Sequence, residues 1–233
     1  MLHVIITLKN SIRLTLGYGN VSVSSDRWAF GFESRAPLLL MQIRWPRPLL
    51  KKLRRLARDK SVELWSMDEC HFQQHGSRCR MWVPPEDKDP TLLHAPTRKS
   101  IALFGAVNLY DGQLVTQFSS KFDAITFQDF LKGLLRHRPW NRRIVVICDN
   151  ARYHHATLLK PFLSEKRHTL SLCFLPPYSP ELNPVERVWK LARRLCTHNQ
   201  YFPQLNDLIV AVTRQLELWN RPNNTLFRLC GIT

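Results

Sequence analysis

The spacing of apolar positions changes several times along this chain, and each change predicts an element. "VELWSMDE" (62–69) reads as a strand that ends on two acids. "RMWV" (80–83) reads as a second short strand, and "PPEDKDP" (84–90) as a charged, proline-rich loop. "SIALFGAVNLYDGQLVTQF" (100–118) is two apolar runs around Asp111-Gly112, the signal of a type I′ hairpin. Asp123 can cap a helix that carries Phe127, Phe130, Leu131, Leu134 and Leu135 at helical spacing. "RRIVVICD" (142–149) and "LSLCFL" (170–175) are nearly continuous apolar runs, as expected of strands buried on both faces. "HATLLKPFLSEK" (155–166) between them reads as a helix that Pro161 ends or kinks. After the proline loop a helix begins near Glu186, and "QLNDLIVAVTRQLELWN" (204–220) is a last amphipathic helix. The order predicts an α/β fold over about residues 61–200, antiparallel at its start and parallel afterwards.

The first sixty residues are less regular. "VIITL" and "IRLTL" read as short strands, and "GYGNVSVSSDRWAF" is turn-rich. Residues 48–60 form a helical pattern, with Leu49, Leu53 and Leu56 on one face and Lys51, Lys52, Arg54, Arg55 and Arg58 around the rest. We therefore expect a basic N-terminal region (1–60) and a main domain (61–233). Two roles stay open for the basic helix: a solvated linker or a phosphate-contacting element.

Charge narrows the partners. The chain has 34 Lys and Arg against 18 Asp and Glu, a net +16, which points to a polyanion. Nucleic acid fits better than anionic lipid, because "RWPRPLLKKLRRLARDK" has only a modest apolar stripe. No apolar run approaches the ~18 residues of a membrane span, and "MLHVIITLKN" lacks the basic start of a signal peptide. The six cysteines include no CxxC pair and read as reduced thiols of a cytosolic protein. Cys70, His71, His75 and Cys79 do not have the spacing of a common zinc site.

Three acids fall at informative places. Asp68 lies at the end of the first strand, Asp149 ends "IVVIC", and Glu186 opens the helix after the next strand. Ligands of open α/β sheets gather at the carboxyl ends of parallel strands. Neighbouring strands are ~4.8 Å apart, so two aspartates there could share a small hard cation. Taken singly, each acid has a plainer use. An aspartate at a strand end often serves a turn. "NPVE" can form a capping box, with Asn183 as N-cap, Pro184 at N1 and Glu186 reaching back to the Asn183 amide. Their shared placement favours a metal site, and an acidic metal site inside a basic chain suits phosphodiester chemistry. Four prolines (Pro176, Pro177, Pro180, Pro184) precede Glu186 and would stiffen its approach.

"SMDECHF", "VVICDNARYHH" and "LPPYSPELNPVERVW", in this order, resemble the catalytic domain of DDE transposases of the mariner-like superfamily, in its bacterial insertion-sequence branch. The resemblance covers about residues 61–220. It implies an RNase H-like mixed sheet with helices on both faces, and two Mg²⁺ or Mn²⁺ ions held by Asp68, Asp149 and Glu186. It also implies cleavage of double-stranded DNA at transposon ends and strand transfer into target DNA. Implied with it are a homodimer assembled on DNA and a cytoplasmic, nucleoid-associated place in a bacterium. Asn150 and His154 match the family after the second aspartate, and His154 could meet a scissile phosphate or an Asp149 oxygen. Glu69 should point to the other face of its strand, as a supporting acid. Trp189 should pack on the sheet beside Val185 and Val188. Lys51, Lys52, Arg54, Arg55 and Arg58, with Arg187 and Lys190 beside Glu186, are the candidate DNA contacts. Complete relatives carry helix-turn-helix modules, and no clean recognition helix precedes Asp68, so a truncated or diverged N-terminus is expected. Two other readings remain: an RNase H-like nuclease without strand transfer, and an inactive DNA-binding remnant.

Overall fold

The computed structural model describes residues 11–15, 20–24, 46–79, 93 and 95–231. The chain divides into two units, residues 1–44 and 45–233. In the first, β1 (Ser11–Thr15) and β2 (Asn20–Ser24) pair antiparallel. Thus part of the turn-rich stretch is a strand. "VIITL", "RMWV" and "PPEDKDP" lie outside the described residues.

The second unit begins with α1 (Arg47–Arg58). The boundary therefore falls sixteen residues earlier than expected at 60, and the basic helix goes with the main domain. Leu53 is fully buried, and the Tyr110 hydroxyl donates to the Ala57 carbonyl at 3.2 Å, which ties the helix end down.

Among the described residues five strands follow: β3 (Val62–Gln73), β4 (Ser100–Asn108), β5 (Leu114–Ser119), β6 (Arg143–Cys148) and β7 (Leu170–Phe174). They lie in the order β5-β4-β3-β6-β7. β3 pairs antiparallel with β4 and parallel with β6, so the sheet changes character at β3. β3 runs on to Gln73 rather than stopping at the acids, because β4 keeps pairing with it as far as Gln73↔Ser100. Pairing with β6 stops at Ser66↔Ile147. One step of two residues further, Asp68 on β3 comes level with Asp149, just past the end of β6.

Alternation along β3 sorts its side chains between two layers. Trp65 and Met67 enter a core with Phe104, Ala106, Ile144, Val146 and Cys148 from the sheet. That core is covered by α2 (Ala124–Leu135), through Phe127, Phe130, Leu131 and Leu134, and by α3 (Leu159–Glu165), through Leu159 and Phe162. Each such side chain contributes ~1.5–3 kcal/mol on burial. Asp123 caps α2 as expected, accepting from the Thr126 amide at 2.9 Å. On the opposite face α4 (Val185–Cys196) contributes Val185, Val188, Trp189 and Ala192, all buried. α5 (Leu205–Glu217) and α6 (Asn224–Cys230) pack on α4.

Three local expectations change. The β4–β5 connection spans residues 109–113, and Gly112 alone there has positive φ (+73°), so the turn is not type I′. A Cβ on Gly112 would also lie 2.2 Å from the Asn223 carbonyl oxygen, so the approach of α6 demands the glycine as well as its positive φ. Pro161 neither ends nor kinks α3. It sits in the first turn, where its missing N–H has no helical partner to lose. α6 is an element the apolar pattern does not announce; the Asn223 side chain caps it by accepting from the Leu226 amide at 3.1 Å.

Candidate active site

Asp68, Asp149 and Glu186 line one cleft of about 410 Å³, together with Asn150, Asn183 and the proline loop. Each comes from a different element: mid-β3, the end of β6 and the first turn of α4. Burial pushes the Asp68 carboxyl up to about 8, and the charges of Glu69, Glu186 and Asp149 push the same way. Asp149 is held low instead, chiefly by a hydrogen bond from His154.

Asn183 decides how Glu186 is presented. Its side chain does not cap α4. It donates to the Met67 carbonyl at 2.9 Å and accepts from the Ser66 hydroxyl, so the loop is bolted to β3 one residue from Asp68. Asn183 is 3% exposed and Ser66 fully buried, so these bonds form without competition from water. The helix starts at Val185, whose amide donates to the Ser66 hydroxyl at 3.4 Å, and Glu186 does not fold back as the reciprocal member of a capping box. Ahead of it Pro176, Pro177 and Pro180 line the cleft, and Tyr178 stands fully exposed with φ +54°. Trp189 packs on the sheet: its ring edge lies over Gly105, where a Cβ would come 2.2 Å from Cη2.

The neighbours of Asp149 divide between two faces. Asn150 donates to the Leu175 carbonyl and tethers the end of β6 to the chain leaving β7. Glu69 points away from Asp68, to the face where Tyr153 donates to it and His154 Nε2 lies 3.2 Å from it. The His154 side chain has no exposure, so it cannot meet a scissile phosphate. Of its two expected partners the structure gives the Asp149 oxygen, 3.1 Å from Nδ1. Burial alone would lower the His154 pKa; the two carboxylates outweigh it and raise it to about 9.

Among the basic residues, Lys51, Lys52, Arg54, Arg55, Arg58 and Lys190 are exposed. Arg187 is not free for DNA as expected. It is half-buried and donates to the Leu229 carbonyl at 2.7 Å, closing the last turn of α6. α1 joins the start of β3, and six residues of strand at ~3.3 Å each put that junction roughly 20 Å from Asp68. Among the described residues, no lysine or arginine lines the acidic cleft.

Sequence reasoning missed Ser66, Tyr153 and the inward role of Asn183. Ser66 had a signal, as the polar residue that interrupts "VELWSM". Asn183 was masked by its fitness as a cap.

The sheet order, the acids at its parallel ends and the helices on both faces define an RNase H-like catalytic fold. The chain belongs to the DDE superfamily endonucleases, whose family model matches residues 63–209. An uncharacterized protein of Sinorhizobium fredii, y4pE/y4sA, is 33% identical over 119 residues, covering 51% of this chain and 82% of that one. The Tcb2 transposase of Caenorhabditis briggsae is 25% identical over 164 residues, 62% of this chain and 58% of that one. In structure, a Mos1 transposase paired-end complex with left transposon end superposes with a TM-score of 0.58 at 18% identity, covering 79% of this chain and 55% of that one. Tcb2 and Mos1 are both transposases, in keeping with the resemblance expected from the three motifs. The chain spans little more than half the length of the named transposases it matches.

Proposed function

We infer that this chain is the catalytic region of a DNA transposase, which cuts phosphodiester bonds at transposon ends and joins them to target DNA. The observation that carries the reading is the cleft that gathers Asp68, Asp149 and Glu186 with no cationic side chain of the described residues lining it. An Asp68 carboxyl held up at about 8 by burial and by its acidic neighbours is a group in want of a counter-charge. A divalent cation fits this donor set, and oxygen ligands select Mg²⁺ or Mn²⁺. Two such ions, when bound, would activate an attacking oxygen and stabilise the leaving one. Related Mos1 paired-end complexes have been solved with Mn and with Mg, in keeping with this reading.

The protein's own part is placement. The Asn183–Ser66–Met67 bonds and the prolines hold Glu186 against β3, and the His154 contact orients Asp149. The exposed cations of α1 and Lys190 would meet the DNA backbone away from the reacting bond. Two ends must be joined in one event, so a homodimer on DNA is the working assembly; the Mos1 neighbours include paired-end complexes. No helix among the described residues is long and apolar enough to cross a membrane. For an enzyme acting on a bacterial chromosome, a cytoplasmic, nucleoid-associated place follows.

The test uses the protein with Mn²⁺ and a duplex carrying the element's ends. Asp149→Ala should abolish cleavage and leave the far-ultraviolet circular dichroism unchanged; wild-type cleavage by that variant would remove the site assignment. Pre-cleaved ends should be joined to target DNA. Hydrolysis without joined product would make the protein a nuclease, and DNA binding without cleavage a remnant.

A further inference from the structure

Asp149 is gripped from the side away from the cleft. Its Oδ1 accepts from the Ala151 amide at 3.0 Å and lies 3.1 Å from Nδ1 of His154. The other ring nitrogen lies 3.2 Å from Oε1 of Glu69, and the Tyr153 hydroxyl donates to that same oxygen. The ring is wedged against Phe127, with centroids 4.3 Å apart. Glu69 belongs to β3, next to Asp68, yet faces the opposite layer. A continuous run of contacts therefore leads from the far face of the sheet, through one fully buried imidazole, to a carboxylate in the cleft.

Building on the metal-site reading above, we propose that Glu69 and Tyr153, acting through His154, form a strut that fixes the Asp149 carboxylate for cation binding. All three are positioning residues. Both ring nitrogens are engaged by carboxylate oxygens, so the ring can neither flip nor swing without losing a contact. With Oδ1 engaged twice by the chain, the rotation of Asp149 is set and Oδ2 is left for the cleft. Partners that orient a ligating group in this way typically govern 10–100-fold in metal affinity. A competing use exists: Glu69, Asp149 and His154 present atoms all within 4.8 Å of one another and could hold a cation themselves. Against it, both ring nitrogens already face carboxylate oxygens, at 3.1 and 3.2 Å, and the Tyr153 hydroxyl occupies the Glu69 oxygen.

The test is Mn²⁺ binding to the full chain, followed by electron paramagnetic resonance of the free ion. Glu69→Gln and His154→Gln should each weaken binding roughly tenfold or more. The double variant should lose no more than the worse single one, because both cut the same strut. Tyr153→Phe, which removes one hydroxyl and keeps the fold, should lose less. Wild-type affinity in folded Glu69→Gln and Tyr153→Phe would overturn the strut. So would loss of one whole bound ion with unchanged affinity for the rest, which would make Glu69 a ligand. If the wild-type protein binds no Mn²⁺ at all, the metal-site reading itself fails, and the strut with it.

Discussion

Gly105 shows how tightly one residue is constrained. It lies on β4 beneath Trp189, three residues beyond Glu186 on the same helix. Adding one methyl in Gly105→Ala would drive the Cβ into the indole, and overpacking of this kind costs about 1–3 kcal/mol. The denaturation midpoint should fall accordingly, and cleavage with it, since the helix that moves carries Glu186. An unchanged midpoint would show that the indole yields freely. Asp68 and His154 set a pH dependence. With its pKa raised to about 8, Asp68 holds a proton in the folded protein that the unfolded chain releases near its ordinary 3.8, so stability falls as pH rises across that interval. His154, raised from 6.5 to about 9, gives stability that is complete below 6.5 and lost as pH climbs through 9. The metal-free protein should therefore melt lower at pH 9 than at pH 6.5. Mg²⁺ must displace the Asp68 proton, so its addition should raise the melting temperature more at pH 8.5 than at pH 6.5. A thermal-shift series in which the metal effect is flat with pH would show that Asp68 is not the group displaced.

Among the elements, the loop between β7 and α4 is the one whose failure would be most informative. Asn183→Ala takes the side-chain donor from the Met67 carbonyl and the acceptor from the Ser66 hydroxyl in a buried place, a loss of about 1–3 kcal/mol. It should also lower the turnover of cleavage well beyond what the reduced stability explains, because Glu186 is no longer tied to the strand of Asp68. A variant as active as wild type would mean that the prolines alone hold the loop. This loop also shows where sequence reading stops. β6, β7 and α2 were legible because period and cap are local, and the three acids because each closes or opens such an element. The rest depends on partners that the local pattern does not contain. β3 outlasts its acids because β4 accompanies it to Gln73. The hairpin turn answers to α6. Asn183 and Arg187 looked like a cap and a DNA contact, and distant backbone groups claimed both.

At the scale of the whole molecule, the charge is divided by function: +16 in total, yet an acidic cleft that no lysine or arginine of the described residues lines. DNA affinity should fall linearly in log–log with salt. Replacing Lys51, Lys52 and Arg55 by alanine should shrink that slope by roughly one for each phosphate the helix no longer neutralises. Mn²⁺ binding in the cleft should be untouched. An unaltered slope would return α1 to the role of a solvated linker helix. The bond between Ser66 and Asn183 joins residues 117 apart in sequence. During synthesis β3 can meet β4 and then β6 while the stretch that completes the cleft is still inside the ribosome. Chains stalled short of α4 would thus own the sheet and the basic helix but lack Glu186, and should hold DNA without nicking it. Interrupted translation would then yield harmless binders, and the power to break a chromosome would arrive only once α4 has emerged.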